Sequence, residues 1–163
     1  PLAPASPHPI LSEYQGVRLM LQRRLVLALP LAFLAAGSAY TLMQPAQADT
    51  TLDAETAFQR VQAGDLLLVD IRQPEEWAET GSPKGAQRLD LRSPDFLDQL
   101  TALAEGDTTR PIALICASGG RSARTATALT EAGFTSVLDV SEGMLGSSAG
   151  PGWLARGLPV VSD

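Results

Sequence analysis

The sequence predicts an α/β domain with a central parallel sheet flanked by helices. Three observations carry this. Leu66-Leu67-Leu68-Val69-Asp70-Ile71, Ile112-Ala113-Leu114-Ile115 and Val137-Leu138-Asp139-Val140 are short apolar runs without the alternation of a half-exposed strand, the pattern of strands buried on both faces. Amphipathic helical segments separate them, so strand and helix alternate along the chain. Glycine and proline punctuate the junctions, as short connections require. Parallel strands joined in this way use right-handed crossovers.

Composition narrows the function. With 163 residues, 45% of them hydrophobic, the chain has room for one ordinary globular domain. The net charge is −6, and from Asp49 onward nine basic residues face seventeen acidic ones, a net of −8. So acidic a surface argues against nucleic acid, where phosphate attraction dominates binding. The only cysteine, Cys116, excludes an internal disulfide or a multi-cysteine zinc site. The only histidine, His8, precedes the domain, which leaves no Cys-His pair. No metal or cofactor is expected.

Residues 1–48 read as a leader. Arg23-Arg24 precedes an apolar run from Leu25 to Ala36, and Ala46-Gln47-Ala48 closes the segment. Positive, apolar and A-x-A regions in this order form a secretory signal, expected over residues 20–48 from a start at Met20, with cleavage after Ala48. The competing reading is an uncleaved anchor, since about 19 residues from Leu25 to Met43 approach a bilayer span. Pro30, Gly37, Ser38 and Thr41 weaken it. The expected location is periplasmic or exported, with inner-membrane anchoring if the leader is retained.

The domain, residues 49–163, then unfolds in order. Asp53 is an N-cap for a helix over Ala54–Val61, stopped by Gly64. Strand Leu66–Ile71 follows. Pro74-Glu75-Glu76-Trp77 opens a short helix with proline in its first turn. Gly81–Gly85 is a loop and Ala86–Leu91 a strand. Ser93 caps a helix starting at Pro94 and running to Leu103. Ile112–Ile115 is the next strand. Ala123, Ala126, Leu129 and Ala132 mark a helical face from Ser122, ended by Gly133. Val137–Val140 is the last strand, and Ser141–Gly157 is irregular.

The chemistry concentrates in Cys116-Ala117-Ser118-Gly119-Gly120-Arg121-Ser122, between an apolar strand and a helix. Ligands of parallel sheets bind at the carboxyl ends of strands, where Cys116 stands. Loop amides and the helix dipole favour negative charge there. A thiolate is the reactive form of cysteine, and such surroundings lower its pKa. Gly119 and Gly120 permit the backbone such a cradle needs. Arg121 and Arg124 share a helix face.

At this point the chain resembles the single-domain rhodanese-like sulfurtransferases, over roughly Thr51 to Val160. Leu68-Val69-Asp70-Ile71-Arg72 with Pro74-Glu75-Glu76-Trp77, then Gly85-Ala86, the Cys116–Ser122 loop and Gly157-Leu158-Pro159-Val160 are similar to the family's pieces and stand in its order. The resemblance implies a three-layer rhodanese-like domain in which Cys116 carries a persulfide. It implies a small sulfur-containing anion such as thiosulfate as donor, and a thiol, cyanide-like or protein acceptor. Ala117, Ser118, Gly119, Gly120, Arg121, Ser122 and Arg124 then bind substrate, the arginines docking its anionic end. Ser82-Pro83-Lys84 replaces the family's histidine, a loss read as structural. The insert Gly146–Gly152 displaces Trp153 and is expected near the mouth of the site.

The plainer roles are equally specific. Asp70 in a buried strand needs a partner and is read as part of a structural ion pair or as a backbone cap at the sheet edge; Arg72 is read as a salt-bridge residue and not a substrate contact. Trp77 and Trp153 are packing residues. Glu75, Glu76 and Glu79 form a solvated face, and Ser122 caps the helix after the loop. Four residues separate Cys116 from Arg121, one fewer than in the C-x5-R of cysteine phosphatases, so the cradle suits sulfur better than a phosphoryl group. Two other functions are weighed: a non-catalytic or regulatory rhodanese-like binding module, against which the presence of Cys116 argues, and an envelope thiol redox sensor, in which a lone cysteine forms mixed disulfides.

Overall fold

A computed structural model of the protein describes residues 50–162. The leader, its cleavage point and its membrane alternative lie outside the described residues. In chain order the elements are β1 (Thr51–Leu52), α1 (Ala54–Ala63), β2 (Leu67–Asp70), α2 (Pro74–Thr80), β3 (Ser82–Pro83), β4 (Gln87–Arg88), α3 (Phe96–Leu103), β5 (Ile112–Ile115), α4 (Gly120–Glu131), β6 (Val137–Val140), α5 (Gly152–Ala155) and β7 (Val160–Val161). Five strands form one sheet in the order β1-β6-β5-β2-β4, with every pairing parallel. A small antiparallel ladder joins β3 to β7.

The buried strands feed two cores. Successive side chains of a strand point to opposite faces, so Val69, Ile112 and Leu114 enter one cluster while Leu68, Ala113 and Ile115 enter the other. Helices α3 and α4 close the first with Leu100, Ala126 and Leu129. Helices α1 and α5 close the second with Ala54, Ala57 and Trp153, and Phe58 meets the Trp153 ring edge to face at 5.8 Å. The expected three layers result.

Local chemistry sets the boundaries. Asp53 Oδ1 accepts from the Thr56 amide at 2.7 Å, starting α1 as expected. The expected strand Ala86–Leu91 shrinks to Gln87–Arg88, because Asp90 turns the chain: its Oδ1 accepts from the Arg92 amide at 2.9 Å. Such local side-chain bonds compete with a ladder. Ser93 does not cap the next helix. Asp95 is the N-cap of α3, and the Ser93 hydroxyl donates to the Asp95 carboxylate. Within the stretch expected to be a loop, Ser82–Pro83 forms β3, and the irregular Ser141–Gly157 contains the one-turn α5.

Asp70 and Arg72 make a buried pair, 0% and 1% exposed. Arg72 donates from Nε to Asp70 Oδ1 at 2.9 Å and from Nη2 to Oδ2 at 2.8 Å. The Ser82 hydroxyl donates to Oδ2 at 3.0 Å and the Arg72 amide to Oδ1 at 3.1 Å. Arg72 spends its remaining donors on Thr80 Oγ1 and on the Glu76 and Gly81 carbonyls. One guanidinium thus ties the end of β2 to the far end of α2.

Removing one partner of such a pair leaves a buried charge unmatched. Arg72→Met is expected to cost about 3–5 kcal/mol, measured by urea unfolding. A loss below about 1 kcal/mol would show that Ser82 and the Arg72 amide suffice for Asp70.

Candidate active site

Cys116 directly follows β5, which lies between β6 and β2 in the sheet, and it is 1% exposed. The chain then passes through Ala117 and exposed Ser118 to Gly119, the N-cap of α4. Ser122 is therefore the third residue of the helix and not its cap, a correction with a chemical consequence. Its hydroxyl reaches Cys116 Sγ at 3.3 Å and the Gly119 carbonyl at 3.0 Å. Having one proton, it can donate to only one of these acceptors at a time.

Burial is the largest influence on the thiol and pushes its pKa up. The Ser122 hydroxyl and the amides of Ser122, Ser118 and Arg121 together outweigh it, and the net effect is a lowered pKa. Hydrogen bonds to the charged form are what favour a thiolate here.

The loop is held from behind by a second backbone segment. Met144 and Leu145 donate their amides to the Cys116 and Ala117 carbonyls at 2.9 and 2.8 Å. The approach requires glycine twice. Gly119 has φ +81° and a Cβ there would collide with the Ser141 carbonyl. Gly143 has φ +66°, and its Cβ would lie 2.5 Å from Ala117 O and 2.6 Å from Ser118 N. Gly120 has ordinary helical φ and open space beside it, so only the first glycine of the expected pair is conformationally required.

Arg121 is already engaged. Its Nη1 and Nη2 donate to Glu76 Oε2 and Oε1 at 2.9 and 2.6 Å. The bond to Arg121 is the chief reason that the Glu76 carboxyl lies below its ordinary range. Glu76 in turn holds the guanidinium charged, with Cys116 contributing. Glu76 is thus no member of a solvated acidic face. The same carboxylate accepts the Gln73 amide at 2.9 Å, capping α2. A first-turn glutamate three residues after Gln73 was the signal available in the sequence. Arg124 is exposed and has no ion pair among the described residues. Asp70 and Arg72 lie beside this region, with hydrogen bonds running to α2, Gly81 and Ser82.

Two other residues escaped the sequence reading. Asp139 on β6 is buried, with Oδ1 lacking a hydrogen-bond partner. Burial raises its carboxyl, and the Ser122 hydroxyl pulls it back. Glu142 is buried and accepts from the Gly152 amide at 3.0 Å and Arg156 Nε at 2.7 Å, which ties the C-terminal end of the insert to the turn that precedes it.

Comparison with known proteins adds a family. The family model described as a rhodanese-like domain matches residues 53–149. The chain is 35% identical to "Thiosulfate sulfurtransferase 16, chloroplastic" of Arabidopsis thaliana over 112 residues, 60% of this chain and 85% of the relative. It is 31% identical to a "Sulfurtransferase" of Allochromatium vinosum over 112 residues, 68% of this chain and 94% of the relative. Among solved structures, the polysulfide-sulfur transferase homodimer of Wolinella succinogenes superposes with a TM-score of 0.57 at 24% identity, covering 71% of this chain and 80% of that one. That last likeness bears on the fold.

The lowered thiol pKa has a direct kinetic reading. An ordinary thiol, of pKa about 8.5, loses its thiolate as pH falls below that value. Alkylation of Cys116 by iodoacetamide is expected to persist to lower pH and to decline only through the depressed folded-state value. Ser122→Ala removes one donor and leaves the burial, so its inflection moves upward. A wild-type inflection at or above the ordinary value would contradict the cradle. Gly119→Ala is expected to cost at least about 2 kcal/mol in thermal unfolding, as strained backbone and collision add.

Proposed function

The chain belongs to the family of rhodanese-like domains, and on that premise we propose that it is a sulfurtransferase whose sulfur carrier is Cys116. The observation that carries the proposal is the sulfur's position: buried at the end of a central strand, faced by the Ser122 hydroxyl and three loop amides, with a lowered thiol pKa.

In the proposed reaction the Cys116 thiolate attacks the outer sulfur of thiosulfate. A bond forms between Sγ and that sulfur, the S–S bond of thiosulfate breaks, and sulfite leaves with the bonding pair. The product is a Cys116 persulfide anion. A nucleophile then takes the outer sulfur: cyanide gives thiocyanate, and a thiol gives its persulfide, with the Cys116 thiolate restored each time. A thiolate formed in advance needs no general base, in keeping with a domain whose only histidine lies before it. The same amides that favour the thiolate favour the persulfide anion. The burial of Cys116 also shelters its sulfur from over-oxidation. With export directed by the leader, this transfer would occur outside the cytoplasm.

Intact mass spectrometry of the full chain after brief exposure to thiosulfate tests the reading. The expected result is the gain of one sulfur atom, removed by cyanide and absent from Cys116→Ser. A free, alkylatable Cys116 that gains no sulfur from thiosulfate or polysulfide would overturn it.

A further inference from the structure

A cleft of about 440 Å³ lies between α3 and α4, beside the Cys116 loop. Leu91, Phe96 and Leu97 form one wall, and Ala128, Leu129 and Ala132 are among those forming the other. Leu97 is 46% exposed, while Leu100, one turn on, is fully buried. Arg121 and Arg124 also line the cleft. Arg121 connects the two places, since it stands in the first helical turn after the Cys116 loop and also lines the cleft. These two cations stand out in a domain with a net charge of −8.

We infer that this cleft binds the sulfur acceptor, and that the acceptor is a small organic thiol bearing a carboxylate and an apolar side group. The inference rests on the sulfurtransferase reading above. The volume falls in the range of small-molecule sites, about 300–1,000 Å³, and apolar walls with a few polar groups at one end orient an amphiphilic ligand. The side group lies against Leu97, Ala128 and Leu129. The carboxylate meets Arg124, whose charge no described carboxylate neutralises. The thiol is then directed past Arg121 to the persulfide. There R–SH and Cys116–S–S⁻ give R–S–SH and Cys116–S⁻: the Cys116 Sγ–S bond breaks, a new S–S bond forms on the acceptor, and the thiol proton moves to the product persulfide.

Two measurements on the full chain test this. The first needs no sulfur chemistry: binding of 3-phenylpropionate and of propionate to the unloaded protein, followed by NMR. The ring is expected to tighten binding at least tenfold, in line with burial of an aromatic group. Leu97→Ser and Ala128→Phe, at exposed positions, are expected to bring the ratio within twofold. Equal binding of the two acids overturns the cleft. The second measures sulfur transfer from loaded Cys116 to 2-mercapto-3-phenylpropionate and to 2-mercaptopropionate, which differ only by the phenyl group. A kcat/KM ratio of at least ten, lost in Leu97→Ser, and a KM raised several-fold for both acids in Arg124→Gln are expected. Loading with a ratio near one sinks the acceptor site and leaves sulfur transfer standing. Failure to load Cys116 with any sulfane donor sinks the sulfurtransferase reading and the acceptor role with it, even where ring-dependent binding survives.

Discussion

The site depends on two backbone segments lying closer together than side chains allow. The Cys116–Gly119 loop and the Ser141–Leu145 turn share amide-to-carbonyl bonds at Cys116 and Ala117, and glycine at 119 and 143 removes the atoms that would part them. With those carbonyls occupied from behind, the loop amides of Ser118, Arg121 and Ser122 are left for the sulfur. A cradle of amides costs no side-chain entropy, and its precision comes from the sheet strands that deliver both segments. Strands β5 and β6 are parallel neighbours, so their carboxyl ends emerge side by side, and the two segments meet as a result of topology.

A second support reaches the loop from the opposite flank. The buried Asp70–Arg72 pair anchors the end of α2 through Thr80, Gly81 and the Glu76 carbonyl. Helix α2 presents Glu76, and Glu76 grips Arg121 with both oxygens. Each connection is charge-assisted, and the Arg121 contact is bidentate, which adds geometric definition to its strength. The first turn of α4 is therefore fixed by its own hydrogen bonds, by the Ser141 turn and by α2. A residue that in the sequence looks like one more surface acid becomes a positioning residue for the loop.

What the sequence made legible follows a physical division. Apolar runs and helical periodicity report burial, so the three long strands, the four longer helices and the three layers were readable, while the one-turn α5 was not. The place of Cys116, between a strand and a glycine-bearing turn into a helix, was readable because an apolar run precedes it and helical spacing follows it. Strand ends and caps were less so: Asp90 and Asp95 reshape the segment around Ser93 by hydrogen bonds that periodicity does not register. Two-residue strands such as β1 and β7 are too short to show a pattern. The partners of Arg121 and Ser122 lie in tertiary space. Glu76 is 45 residues from Arg121, and the displacement of the α4 cap from Ser122 to Gly119 appears only once the left-handed turn is seen.

The insert between Leu145 and Trp153 is closed on itself before it reaches its tip. Ser147 and Gly150 exchange backbone hydrogen bonds at 2.9 and 3.2 Å, and Ser148 and Ala149 between them are exposed. Glu142 clamps the base through Gly152 and Arg156. The Ser147 hydroxyl also donates to the Ser141 carbonyl at 2.9 Å, which ties this bridge to the turn behind the Cys116 loop. Residues added at 148–149 would enlarge a loop whose closure entropy grows only logarithmically, about 0.6 kcal/mol per doubling. Positions 148–149 are therefore where the length of the insert can change at the smallest cost in closure entropy.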